Sequence, residues 1–215
     1  MDERLYLSAS GQKYGSYVSW FLTRERFHLS LGISKFEFDP GEDLIVDESG
    51  NDPGVYTRAH ELLRSYQKNH RYAVIVLDNA WEGSPGVKTI EKNISENMLK
   101  NGWEIESFTV IVIDPELEVW ILQDSSIVAT AFKFQQDISL RQWLEKRGLW
   151  LSSSTKPADP KKAVEEILKI SKVPRSSAIY RQITNRISVR GCQDLAFQKL
   201  CSALQNWFPM VEGGV

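Results

Sequence analysis

Two stretches of the chain are apolar without interruption. Tyr72-Ala73-Val74-Ile75-Val76-Leu77 closes on Asp78, and Phe108-Thr109-Val110-Ile111-Val112-Ile113 closes on Asp114. Runs of this length with no polar alternation read as strands buried on both faces, of the kind found inside a parallel sheet. A shorter strand is expected at Leu5-Tyr6-Leu7. Helical spacing follows it, with Tyr14, Tyr17, Val18, Phe21 and Leu22 on one face. The same spacing returns at Val55, Ala59, Leu62, Leu63 and Tyr66, ahead of the central strand. It returns again at Val87, Ile90, Ile94 and Met98, where Asn101-Gly102 provides a left-handed stop. This alternation of strands and helices predicts right-handed crossovers and a mostly parallel sheet covered on both faces.

Residues 27–53 break the pattern. Phe27 to Leu31 and Phe36 to Phe38 read as strands, but Pro40-Gly41, Ser49-Gly50 and Pro53-Gly54 punctuate the stretch as turns, so an excursion from the core is expected. Beyond about residue 125 the periodicity is helical throughout. Leu140, Trp143 and Leu144 mark one helix, Ser152 to Pro157 reads as a linker, and Asp159-Pro160 supplies a cap and a first-turn proline for Val164, Ile167 and Leu168. A further helix is expected from Ala178 to Ile187. The last carries Phe197, Leu200, Cys201, Leu204, Trp207 and Phe208 on one face, and Pro209 and Gly213-Gly214 end it. A stripe of that size is expected to be buried, within this chain or in a homodimer. The expected architecture is α/β, with a sheet domain over 1–125 and a helical part over 126–215 packed on it.

Composition narrows the picture slightly. A chain of 215 residues, 42% hydrophobic and 25% charged, can bury a full core without covalent staples. A net charge of −2 and an isoelectric point near 6.0 exclude a surface that is basic all over, while leaving room for a local basic patch. The two cysteines, Cys192 and Cys201, form no CxxC pair and have no nearby histidine, so reduced thiols buried on a helix are expected rather than a zinc site. Met1-Asp2-Glu3-Arg4 leads into a strand and no run approaches a membrane span, which points to a cytoplasmic protein without membrane contact.

Candidate chemistry concentrates after the strands, because ligands of open α/β sheets bind beyond the carboxyl ends. Asp78, Glu82, Asp114, Glu116 and Glu118 would suit Mg²⁺ or Mn²⁺, hard cations that take oxygen ligands and bridge phosphates. Acids in such places also serve as helix caps and solvated groups. Trp81, in the polar loop beside Asp78, is placed to stack a base or anchor a partner, or simply to pack. Trp20, Trp120, Trp143 and Trp207 fall on amphipathic faces and read as core. Of His28, His60 and His70 only His70 lies near the central strand, where a lone histidine is more often on the surface than catalytic. Gly83 to Thr89 lacks the Walker spacing, and no Gly-x-Ser-x-Gly elbow surrounds Ser10.

Three segments together resemble small bacterial Toprim-like proteins: Ser8-Ala9-Ser10-Gly11-Gln12-Lys13, Ala73 to Asp78, and Val110 to Leu122 with its Glu118-Val119-Trp120-Ile121-Leu122. The likeness covers roughly residues 5 to 125. It implies a Toprim-like sheet, a binding site that includes Ser10, Gly11, Gln12, Trp81 and Glu116, and Asp78 and Glu118 as metal ligands if the site is active. With the Asp194 to Phe197 and Trp207-Phe208-Pro209 ending, the whole chain is most similar to accessory proteins of methylation-associated phage-defence systems. Two family acids are missing: Ser10 stands where the family has glutamate, and Ala80 where it has the second aspartate. The resemblance therefore implies a degenerate site, acting by binding other defence proteins, DNA or RNA. The competing expectation is a Mg²⁺-dependent nuclease or phosphoryl-transfer enzyme using Asp78, Glu82 and Glu118.

Overall fold

Both apolar runs are buried on both faces, but only Tyr72–Asp78 has a strand on each side; Phe108–Ile113 lies at the edge of the sheet rather than inside it, its faces covered by helices. A computed structural model describes residues 4–9, 12–47 and 50–210, with backbone alone for 12–16. Four strands, β1 (Leu5–Ala9), β2 (Leu44–Val46), β3 (Tyr72–Asp78) and β4 (Phe108–Ile113), form one all-parallel sheet in the order β2-β1-β3-β4. The register sets Leu7 beside Val74 and Ile75 beside Val110. Strand alternation then splits the side chains. Leu5, Leu7, Val74, Val76, Ile111 and Ile113 enter one core, and Tyr6, Ala73, Ile75, Leu77, Val110 and Val112 the other.

Helices α3 (Asp52–Leu62) and α4 (Val87–Lys100) roof the second core with Val55, Ala59, Ile90, Ile94 and Met98. On the first face lies α1 (Gln12–Leu22), followed by α2 (Phe27–Leu31). The remaining helices contribute to that same core: α5 (Glu118–Ile121), α6 (Ser126–Ala131), α7 (Leu140–Lys146), α8 (Pro160–Ser171), α9 (Ser177–Arg186) and α10 (Leu195–Trp207). The α10 stripe is closed off from solvent, with Phe197, Leu200, Leu204 and Trp207 no more than 8% exposed. Trp207 stacks on Tyr72 at 4.8 Å and Phe197 meets Trp120 edge-on at 5.0 Å, so α10 is clamped at both ends of the sheet. No helix among the described residues is long and apolar enough to cross a membrane.

Local chemistry explains the boundaries. Asn51 accepts from the Gly54 amide at 2.8 Å and Pro53 sits in the first turn of α3. Asp159 caps α8 through the Lys162 amide at 2.8 Å, as its Asp-Pro start implied. Ser139 and Gln142 make a reciprocal capping box on α7.

Four expectations change. Phe27 to Leu31 is helical, closed by Gly32 at φ 70°. Phe36 to Phe38 forms no strand and contributes one bridge, Glu37 to Arg4. The supposed excursion holds β2 at the sheet edge, flanked by the buried acids Asp43 and Asp47. His70 is buried rather than on the surface: its Nε2 lies 2.8 Å from Asp43 Oδ1 at the amino edge of the sheet, and its ring meets Tyr6 edge-on.

Smaller departures follow from packing. The 152–157 segment is no loose linker, because Arg141 donates to the Leu151 and Ser154 carbonyls and Lys156 Nζ donates to the Asp114 carbonyl at 2.5 Å. Trp120, Trp143 and Trp207 are core, while Trp20 is half-buried against it. Both thiols are free, but Cys192 lies in the loop before α10 and only Cys201 is on the helix.

Truncating Leu204, fully buried beneath the sheet, is expected to cost about 2 to 5 kcal/mol. Urea unfolding of Leu204→Ala beside the parent chain measures it. Burial pushes the Cys192 thiol up to about 11 and the Cys201 thiol up to about 12. At pH 8, alkylation of Cys192 by iodoacetamide should be about a hundredfold slower in the folded chain than in urea, since thiolate is the reacting form.

Candidate functional site

A parallel sheet gathers the ends of its strands along one edge, and here that edge is acidic. β2 runs into Asp47 and β3 ends at Asp78. β4 leads through Asp114-Pro115, joined by a cis peptide, to Glu116 and the start of α5 at Glu118. Asp47, Asp78 and Glu118 are 2%, 1% and 1% exposed. Carboxylates buried to that degree cost several kcal/mol each unless cations or hydrogen-bond donors compensate them.

Two of the three are paired with arginines, one near in sequence and one far. Arg58 of α3 pairs with Asp47. Arg175, in the loop before α9, donates to Glu118 Oε1 at 2.5 Å and lies 3.7 Å from Glu165. At the end of β3 the Asp78 amide donates to Asp52 Oδ1 at 2.8 Å, tying the start of α3 to the strand. The loops after β3 and β4 are fastened together as well. Asn79 and Ala80 amides donate to the Pro115 carbonyl at 3.2 and 3.1 Å, and Asn79 Nδ2 donates to Asp114 Oδ1 at 3.0 Å.

Two tyrosines lie near Glu118, which is itself buried, while Arg175 reaches it from the surface. Tyr17 of α1 and Tyr180 of α9 approach each other at 4.9 Å, and the Arg175 guanidinium lies 5.8 Å from the Tyr180 ring centre. Burial, with the Glu118 carboxylate adding to it, holds the Tyr17 hydroxyl far above its ordinary value. Burial and then Glu118 push Tyr180 up to about 12. Burial works against the Arg175 charge, but Tyr180 and Glu118 more than offset it and raise its pKa. Both phenols therefore stay protonated at neutral pH.

The residues named from sequence are distributed unequally over this geometry. Alternation puts Asp78 on the face of Val74 and Val76, the face that carries α5 and its Glu118, so these two acids share one edge and one side of the sheet. Glu82 is exposed on the loop after β3. Glu116 is half-buried, 4.0 Å from Lys161 of α8. Trp81 leans on the second core, 6.1 Å from Tyr56, rather than standing open in the loop. Ser10 and Gly11 lie outside the described residues, and Gln12 opens α1. Among the described residues no three His, Cys, Asp or Glu side chains are grouped so as to hold a metal ion.

Sequence pattern gave no sign of Asp47, Asp52, Arg58, Tyr180 or Arg175. Tyr17 was visible only as one apolar position of a helix. Arg175 is 57 positions from the acid it serves, between two helices, where no periodicity marks it. Compared with protein-family models, with curated proteins and with solved structures, the chain finds no match.

The pairing makes an asymmetric prediction. Arg175→Met should destabilise the fold by roughly 2 to 4 kcal/mol, because it takes the paired cation from a buried carboxylate, whereas Glu118→Gln removes that charge and should cost less. The double variant should then be more stable than Arg175→Met alone. Chemical denaturation of the four proteins completes the cycle.

Proposed function

We propose that this chain is an accessory component of a bacterial anti-phage defence system, built on a Toprim-like scaffold and acting by binding rather than by catalysis. One observation carries the second half of this reading. Glu118, which the resemblance would make a metal ligand, is buried and is held by the Arg175 guanidinium at 2.5 Å. A divalent ion at Glu118 would have to displace a cation already hydrogen-bonded there, and would meet that cation's repulsion.

The sequence points the same way. Ser10 and Ala80 replace two acids that the family pattern would supply, and neutral hydroxyl and methyl groups cannot restore the lost charge. Glu82 is too exposed to act as a pre-organised ligand. The defence setting itself rests on the resemblance over residues 5 to 125 and on the chain's ending.

Purified protein should not cleave single- or double-stranded DNA or RNA in Mg²⁺ or Mn²⁺ above the level of an Asp78→Asn, Glu118→Gln variant. Parent-specific cleavage would transfer the assignment to a metal-dependent nuclease using Asp78, Glu82 and Glu118. In the source bacterium, deleting the chain should raise phage plating efficiency, and the Asp78→Asn, Glu118→Gln form should restore protection. Unchanged plating on deletion would remove the defence role.

A further inference from the structure

The near-neutral total conceals a strong division of charge. Residues 1–125 hold 12 Lys and Arg against 21 Asp and Glu, a balance of −9, and residues 126–215 hold 14 against 7, a balance of +7. Part of the positive excess is neutralised across the boundary, by Lys161 with Glu116, Arg175 with Glu118 and Lys199 with Glu91. The rest is not. Lys133, Lys172, Arg181 and Arg186 are all exposed and make no ion pair among the described residues.

These cations gather about α9. The helix buries Ile179, Tyr180, Ile183 and Thr184, and the opposite face presents Arg181, Gln182, Asn185 and Arg186, with no carboxylate anywhere along its length. Lys172 ends the preceding helix, and Lys133 follows α6, which packs against α9. At its carboxyl end α9 borders a cleft of about 500 Å³, where Arg186, Lys156, Ser125, Thr155 and Ser188 line the wall. Lys156 and Arg141 there are committed to backbone carbonyls and to Asp194 and Glu145, and Asp124 opposes them, so Arg186 is the cleft's uncommitted cation.

We propose that this face of α9, with the cleft at its end, binds the phosphate backbone of a nucleic acid without reading its sequence. Guanidinium and amide donors with nearby hydroxyls are the groups that contact phosphates and sugars. Arg181 and Arg186 lie about 7.5 Å apart along the helix axis and about 140° apart around it, so they flank the exposed face with Gln182 and Asn185 between them. A protein partner would call for an aromatic or aliphatic centre, and a membrane for an apolar face, and the exposed side of α9 offers neither. The −9 half repels the same polymer, so the backbone is held on the helical half and away from the carboxyl edge. This inference does not depend on the reading of that edge.

Fluorescence anisotropy with a labelled duplex of about 25 base pairs, its single strand and the matching RNA tests it, in roughly 50 to 200 mM salt. The parent should bind at least one of them with micromolar affinity, falling steeply with salt. Arg181→Glu, Arg186→Glu should bind at least about tenfold more weakly, with a salt slope lower by about two, while Lys88→Glu on α4 should be unchanged. Both altered residues are solvent-exposed, and an unshifted melting temperature confirms that the variant is folded; Arg181→Gln, Arg186→Gln serves if it is not. Absence of binding at about 100 μM protein, affinity unaffected by either double change, or equally tight binding to polyglutamate would each overturn the proposal. Cleavage dependent on Asp78 would leave it standing, because the two surfaces are separate.

Discussion

A parallel sheet that is apolar on both faces must be covered on both, and that requirement organises the molecule. The crossovers α3 and α4 complete one side. On the other, α1 shares the work with helices that follow residue 125, whose side chains pack directly on Val74, Val76, Ile111 and Ile113. Phe21, Trp120 and Phe197, from three different helices, meet edge to face in that layer. The helical half is thus the second roof of the sheet, not an appendage beside it.

What was legible in the sequence follows from what leaves a periodic or chemical mark. β3 and β4 stand out because burial on both faces removes alternation, and α8 and α10 because a cap and an apolar stripe coincide. β2 is three residues long between two acids, and its half-buried side chains at the sheet edge carry no pattern. α2 is one short turn set by left-handed residues at both ends, which the apolar string Phe27 to Leu31 does not reveal. His70 looked like a surface residue because its partner Asp43 lies 27 positions earlier. The candidate edge was half visible in the same sense. Asp78 announces itself by ending a strand and Glu118 by following one closely, whereas the arginines that pair with Asp47 and Glu118 are supplied by tertiary packing alone.

Charge is arranged in two tiers. Of the buried acids at the carboxyl edge, Asp47 and Glu118 are matched by arginines, one on α3 and one before α9. On the surface the matching is incomplete, and the excess is segregated, acidic over the sheet half and basic over the helices. A small net charge therefore says little about how the molecule would orient toward a charged partner, since the field of the separated charges acts locally.

Asp194 ties these layers together. One carboxylate caps α10 through the Ala196 and Phe197 amides, takes the Trp120 indole N–H at 2.9 Å and receives Lys156 at 3.0 Å, while Lys156 also holds the Asp114 carbonyl at the end of β4. A helix start, a core tryptophan and a surface segment thus share a single fastening. Losing that one carboxylate would therefore release three places at once: the cleft wall at Lys156, the first turn of α10, and Trp120, two residues from Glu118.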